Sequence, residues 1–190
     1  MLDFTSALYL GLRHPSGALR PWKRFTTGMP AALGVPISLR RITEALAALQ
    51  GCERATLGAS TLHLFWDLFG LLAPDRFVVY QDAGAYAVVR WGLERAAARG
   101  MPVRRFGHHD VETLRVLLRQ DARLGSRPLV VTDGFCPGCG NPAPLPRYLE
   151  VVRAFDGCLI LDDTQALGIL GDSPGSGVAF GRGGGGSLCW

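Results

Sequence analysis

Hydrophobic positions recur along this chain with two periods. From Ser38 onward Leu39, Ile42, Leu46 and Leu49 return every three or four residues, the spacing of one face of a helix. Ser38 can accept a hydrogen bond from a free amide of the first turn, and Gly51 can take the left-handed conformation that ends the helix. Arg54-Ala-Thr-Leu57 then suggests a short strand, and Gly58-Ala-Ser60 turns the chain into the apolar run Thr61 to Leu72, a strand–turn–helix candidate. Beyond it, short apolar runs alternate with helical patterns. Strands are predicted at Phe77–Tyr80, Val103–Phe106, Leu129–Thr132 and Cys158–Asp162, with helices at Tyr86–Arg99, Asp110–Gln120 and Leu145–Phe155. Apolar strands separated by helices predict an α/β fold, a mainly parallel sheet with helices on both faces.

Two regions break the rhythm. Residues 1–37 carry Pro-containing turns without periodicity and read as an N-terminal arm, and residues 172–190 form a glycine-rich tail ending Ser-Leu-Cys-Trp190. The expectation is an α/β domain over 38–171, incomplete, in a chain whose natural fold continues past Trp190.

Composition narrows the function. At 190 residues, 48% hydrophobic and 19% charged, the chain has a globular balance and no apolar run long enough for a membrane span. The start Met1-Leu-Asp-Phe lacks the basic and apolar segments of a secretory signal, so a cytoplasmic location is expected, with the five cysteines unpaired. The net charge of +4 comes from scattered arginines, not a basic stripe interleaved with aromatics, so neither nucleic acid nor membrane is an expected partner.

Several residues could carry chemistry. Ser60, Thr61 and Leu62 open a helix, where small residues let amides approach an anion, although a tight turn without ligand explains the same pattern. Asp162-Asp163 ends an apolar strand, where open α/β sheets bind ligands; a protonated ring nitrogen or a metal would suit a buried carboxylate there, and helix capping or an arginine ion pair is the plain alternative. Cys136-Pro-Gly-Cys139 has the spacing of half a zinc site or of a redox pair. No second closely spaced pair accompanies it, and the flanking glycines and prolines predict a loop, so it is read as an incidental pair with no metal. Asp110 is expected to cap a helix, leaving His108 and His109 in a loop. His63 is expected in the core, and Tyr86 could stack on a flat cofactor or simply pack.

In order and spacing, these segments resemble the α-oxoamine synthase family, pyridoxal-phosphate (PLP) enzymes of the class I/II aminotransferase fold, over nearly the whole chain. Leu2-Asp-Phe-Thr-Ser-Ala-Leu-Tyr-Leu-Gly-Leu12 is similar to the family's N-terminal segment, and Gly51-Cys-Glu53 leads to its phosphate turn. Leu129-Val-Val-Thr-Asp-Gly134 with Ala143-Pro-Leu-Pro146, and Leu161-Asp-Asp-Thr-Gln-Ala-Leu-Gly-Ile-Leu-Gly171, match two further family stretches. The resemblance implies part of the large domain of a fold-type I transferase that condenses an amino acid with an acyl thioester, working as a homodimer. It places Ser60, Thr61 and Leu62 on the cofactor phosphate, Tyr86 where a histidine stacks on the ring, Asp162 on the protonated ring nitrogen, and Gln165 where a histidine bonds the ring hydroxyl.

The chain departs from the family pattern at four of these points. Besides Gln165, Pro137 replaces a serine, Ala7 an asparagine, and Thr61 the glycine of the phosphate turn. The lysine that carries the cofactor in the family lies beyond the Asp-Asp segment; here the sole lysine is Lys23, in the arm, so the resemblance assigns no catalytic residue to this chain. The rival reading is a non-catalytic relative that keeps the fold. A different α/β nucleotide-binding enzyme is disfavoured because no Gly-x-Gly-x-x-Gly follows the first strand.

Overall fold

The computed structural model describes residues 37–72, 76–171 and a short strand at 188–189. The N-terminal arm, with Ala7 and Lys23, and most of the glycine-rich tail lie outside the described residues. The chain divides into two units, Met1–Ile42 and Thr43–Trp190; helix α1 spans the boundary between them, and the rest of the architecture below belongs to the second.

The helices are α1 (Ile37–Gln50), α2 (Thr61–Leu72), α3 (Ala87–Ala98), α4 (Val111–Asp121) and α5 (Leu145–Arg153). The strands are β1 (Phe77–Asp82), β2 (Val103–Phe106), β3 (Arg127–Asp133), the hairpin β4 (Phe135–Cys136) and β5 (Asn141–Pro142), β6 (Cys158–Asp162) and β7 (Leu188–Cys189). One parallel sheet runs β2-β1-β3-β6-β7. The chain passes from β1 through α3 to β2, then returns through α4 to lay β3 on the other side of β1. That reversal makes a topological switch point between the carboxyl ends of β1 and β3, the place where open α/β sheets form a ligand crevice.

Alternation along each strand sorts the core into two layers. Val78, Tyr80, Val130, Leu159 and Leu161 pack against α4 and α5 through Val111, Leu114, Leu118, Tyr148 and Val151. Val79, Leu129, Val131 and Ile160 face the other way, onto Phe65 and Phe69 of α2 and Val89, Leu93 and Ala96 of α3. In that second layer α2 and α3 approach closely because position 92 has no side chain: a Cβ on Gly92 would fall 2.9 Å from Phe69 Cδ2 and 3.0 Å from Phe65 Cβ.

The expected α/β fold with helices on both faces is the fold observed. Asp110 caps α4 as expected, accepting the Thr113 N–H at 2.9 Å. At the end of α1, Gly51 takes φ +65 and the amides of Gly51 and Cys52 bond to Ala48 and Ala47 carbonyls at 3.3 and 2.9 Å, a Schellman closure.

Three local expectations are corrected. Helix α1 begins at Ile37, so Ser38 sits inside its first turn and is not the cap. Its apolar stripe is largely uncovered: Leu39, Ile42 and Leu49 stay exposed, Leu46 is half-buried, and among the helix's described side chains Ala47 alone is in the core, because periodicity specifies a face but not what covers it. Arg54–Leu57 is not a strand. Leu57 is its one large apolar side chain, and it stays 42% exposed, so little burial favours an extended segment.

Candidate functional site

Three of the parallel strands end in an aspartate: Asp82 on β1, Asp133 on β3 and Asp162 on β6. Strand alternation turns Asp82 towards α5, where its Oδ2 accepts the Tyr148 hydroxyl at 3.1 Å. Asp133 and Asp162, paired side by side in the sheet register, turn towards α2 and α3.

Asp162 is buried. Its Oδ1 accepts the Thr164 N–H at 3.0 Å and also the Thr164 hydroxyl, which fixes the carboxylate on the turn that follows β6. Asp162 and Thr164 share a recess with Thr61, Leu64, Phe65 and Leu68, so the first turn of α2 and the end of β6 face one space. Three apolar side chains make its wall, and a polar carboxylate and two threonine hydroxyls stand at its rim.

The turn into α2 is built by Ser60 and Gly58. Ser60 caps the helix, taking the His63 N–H on its Oγ at 3.4 Å, while the same hydroxyl lies 2.8 Å from His63 Nδ1. At Gly58 a Cβ would lie 2.4 Å from Leu64 Cδ2, so a side chain there would make Leu64, which lines the recess, change its rotamer. The amides of Thr61 and Leu62 belong to the first turn, whose N–H groups have no carbonyl partner within the helix. His63, expected in the core, is exposed: it sits three residues after the cap, on the outer side of a helix whose other face is apolar.

Asp133 ties β3 to α3, both of its oxygens accepting the Tyr86 backbone N–H at 3.2 Å. Tyr86 is the residue preceding α3 and is 59% exposed. Burial pushes the Asp133 carboxyl up to about 7; the bond from Tyr86 opposes this, and the charges of Asp162 and Asp82 add to it. No arginine forms an ion pair with Asp133 or Asp162 among the described ion pairs. On the same face Gln81 is buried, with no hydrogen-bond partner for its Nε2 among the described residues. The buried Asp162 carboxylate facing the open first turn of α2, with Asp133 next to it in the sheet register, fits a ligand with a protonated nitrogen at one end and an anion at the other.

The structure thus brings together Thr61 and Asp162 from the predicted set, with Leu62 and Ser60 on the same turn and Tyr86 one strand away through Asp133. Gln165 lies half-buried in the turn after β6. Pro137 is exposed in the turn of the β4–β5 hairpin, apart from the recess. Asp133 was not singled out from the sequence; a carboxylate closing an apolar strand, as at Asp162, was the available signal.

The raised Asp133 carboxyl makes a stability prediction. An unfolded aspartate titrates near 3.9, so between about 4 and about 7 the folded chain holds the proton more tightly than the unfolded chain. Stability is full below the lower value and falls as pH rises through that window. Asp133→Asn keeps an acceptor for the Tyr86 N–H and removes the charge. Urea midpoints should therefore be higher for the variant at pH 8 and should lose the decline between pH 4 and 7; identical pH slopes in both chains would reject this account.

No family model matches the chain. Among curated proteins it is 33% identical to the 8-amino-7-oxononanoate synthase of Sodalis glossinidius, over 94% of this chain and 46% of that protein. It is 31% identical to the 8-amino-7-oxononanoate synthase of Pectobacterium atrosepticum, over 90% of this chain and 45% of the relative. The chain spans about half the length of the curated relatives it matches. Among solved structures it is similar to a serine palmitoyltransferase from S. paucimobilis with a bound PLP–myriocin aldimine (TM-score 0.69, 24% identity, 83% of this chain and 38% of that one). An 8-amino-7-oxononanoate synthase from Francisella tularensis superposes with TM-score 0.54 at 17% identity, over 72% of this chain and 37% of the other. The resemblance read from the motifs is borne out: the chain is similar to α-oxoamine synthases in sequence and shares their fold.

Proposed function

We propose that this chain is the N-terminal, cofactor-binding portion of a PLP-dependent acyltransferase that condenses an amino acid with an acyl thioester and works as a homodimer. The observation that carries the reading is the shared recess of Thr61 and Asp162, an open helix N-terminus facing a buried strand-end carboxylate. Pyridoxal phosphate bound there supplies an electron sink for charge developing at the amino acid's α-carbon.

The chain's own residues have separable tasks in this reading. The amides of Thr61 and Leu62, with the hydroxyls of Ser60 and Thr61, hold the phosphate at the positive end of α2. Asp162 keeps a proton on the ring nitrogen, and the bonds from Thr164 hold its carboxylate still for that purpose. Tyr86 offers the flat face on which the ring stacks, and Gln165 a donor for the ring hydroxyl. Leu64, Phe65 and Leu68 keep water from the ring's edge.

The second reading, a non-catalytic relative, draws on Gln165 and Pro137, because Pro137 presents no polar side chain where the family has a serine. Both readings expect reversible cofactor binding, so binding and turnover must be measured separately. Titration of the purified chain with pyridoxal phosphate, followed by the cofactor's absorbance, should show saturable one-site binding; no saturation would remove both readings. The intact mass of the protein isolated from its source, against 20.4 kDa for this chain, together with an assay of that protein with amino acids and acyl thioesters, then separates enzyme from relative.

A further inference from the structure

On the opposite side of the sheet from the recess, three side chains distant in sequence stand in line. Cys139 Sγ lies 3.3 Å from His108 Nε2, and His108 Nδ1 lies 2.8 Å from Asp82 Oδ1. The carboxylate at the end of this line is immobile. Its side chain is 1% exposed, and it also accepts the Gly84 N–H at 2.7 Å, the His109 N–H at 3.2 Å, the Tyr148 hydroxyl at 3.1 Å and the Thr132 hydroxyl at 3.3 Å. A fixed acceptor at Nδ1 places the ring's proton there and leaves Nε2 to face the thiol.

The neighbourhood is shaped for that ring. A Cβ on Gly84 would fall 2.2 Å from His108 Nδ1, so glycine at this position is what lets the imidazole reach Asp82. At the other end, Cys139 sits exposed in the β4–β5 turn, closed by the Gly140 N–H on the Cys136 carbonyl at 2.8 Å and by Asn141 Nδ2 on the Cys139 carbonyl at 2.9 Å. A nucleophile, a base within hydrogen-bond reach and a third group orienting the base is the arrangement of an activated thiol.

We propose that Cys139 is a nucleophilic thiol, activated by His108 and Asp82, that undergoes thiol–disulfide exchange with small disulfides. The proton of Sγ passes to Nε2. The thiolate attacks one sulfur of R–S–S–R, a Cys139–S–S–R bond forms as the R–S–S–R bond breaks, and the released RS⁻ takes the proton from His108. The small disulfide is the oxidant and RSH the reduced product. Thiol reactivity in Cys-x-x-Cys motifs is commonly raised at a helix N-terminus; here the imidazolium takes that part in a hairpin turn.

The electrostatics agree with the geometry. The hydrogen bond with His108 lowers the Cys139 thiol to about 7, near ambient pH, where an attacking thiol is most effective. Burial works against a charge on His108, and its bonds to Asp82 and Cys139 outweigh this and raise its pKa. The other titratable groups facing the pair are His109, stacked on His108 with ring centroids 3.8 Å apart, Cys136 at the base of the turn, and Asp133, which feels the charge of His108.

The test is the rate of reaction of the whole chain with 5,5′-dithiobis(2-nitrobenzoate) from pH 6 to 9, with the modified residue located by peptide mass. Cys139 should react first. At pH 6 a thiol near 7 has about 30 times the thiolate of one near 8.5, and its weaker intrinsic nucleophilicity gives back about fivefold, so a net advantage of about five- to tenfold is expected. His108→Gln should raise the midpoint towards about 8.5 and erase the advantage; if that variant does not fold, Gly84→Ala displaces the ring without removing it and should do the same. A midpoint unchanged by either variant overturns the proposal. So does protection of Cys139 by one equivalent of Zn²⁺ at submicromolar concentration, which would assign His108, His109 and Cys139, whose ligand atoms lie within 4.8 Å of one another, to a metal centre instead.

Discussion

Asp162→Asn is expected to weaken binding of pyridoxal phosphate by about ten- to a hundredfold while leaving the fold intact. The variant retains Oδ1, so the Thr164 N–H and hydroxyl still have their acceptor and the turn after β6 keeps its shape. What it loses is the negative charge that would hold a proton on the ring nitrogen. A hydrogen bond to a charged partner contributes about 1.5–3 kcal/mol, which converts to that range of affinity. Absorbance titration of both chains, with circular dichroism to confirm the fold, decides the matter. Equal affinities would place the cofactor elsewhere and remove the central assignment of the site.

The second large effect is expected at Phe69. This ring is fully buried, stacks on Phe65 at 5.9 Å between centroids, and fills the space that Gly92 leaves between α2 and α3. Truncation to alanine removes its transfer energy and leaves a cavity between helices that cannot close without shifting the sheet, costing about 3–5 kcal/mol. For a domain of this size that corresponds to a fall in Tm of about 6–20 °C. Because α2 also presents Thr61 to Asp162, cofactor affinity should fall as well. A loss of less than about 1 kcal/mol in urea unfolding would show that the α2–α3 contact does not anchor the site.

How far the sequence forecasts this structure depends on the polarity of each element's end. Strands β2 and β6 run from Val103 to Phe106 and from Cys158 to Asp162 as expected, because apolar residues mark their limits and Asp162 belongs to a recognised motif. Strands β1 and β3 extend past their apolar runs to Gln81-Asp82 and Asp133, where hydropathy falls although the backbone stays paired. Of these, Gln81 and Asp133 lie on the sheet face that carries the site, while Asp82 faces α5. His63 misled for the opposite reason: apolar neighbours suggested burial, but its place in the first turn of α2 points it outward. The line from Cys139 through His108 to Asp82 was legible only in parts: Cys139 and His108 stand out singly, but with Asp82 they come from three separate segments that the parallel pairing of β1 with both β2 and β3 brings together.

The switch point between β1 and β3 also bears on how the molecule acquires its structure during synthesis. Strand β2 emerges from the ribosome next after β1 and can pair with it at once, but the other edge of β1 stays open until α4 and all of β3 have followed. Until then the nascent chain exposes a row of unsatisfied backbone groups on an apolar strand, the kind of edge that recruits other chains. Non-local parallel pairings of this sort form slowly, because a long loop must close before any contact rewards it. Strand β6, which carries Asp162, pairs on β3 and so can join only after that crossover is complete, and cofactor binding should report the last stage of folding, not its beginning.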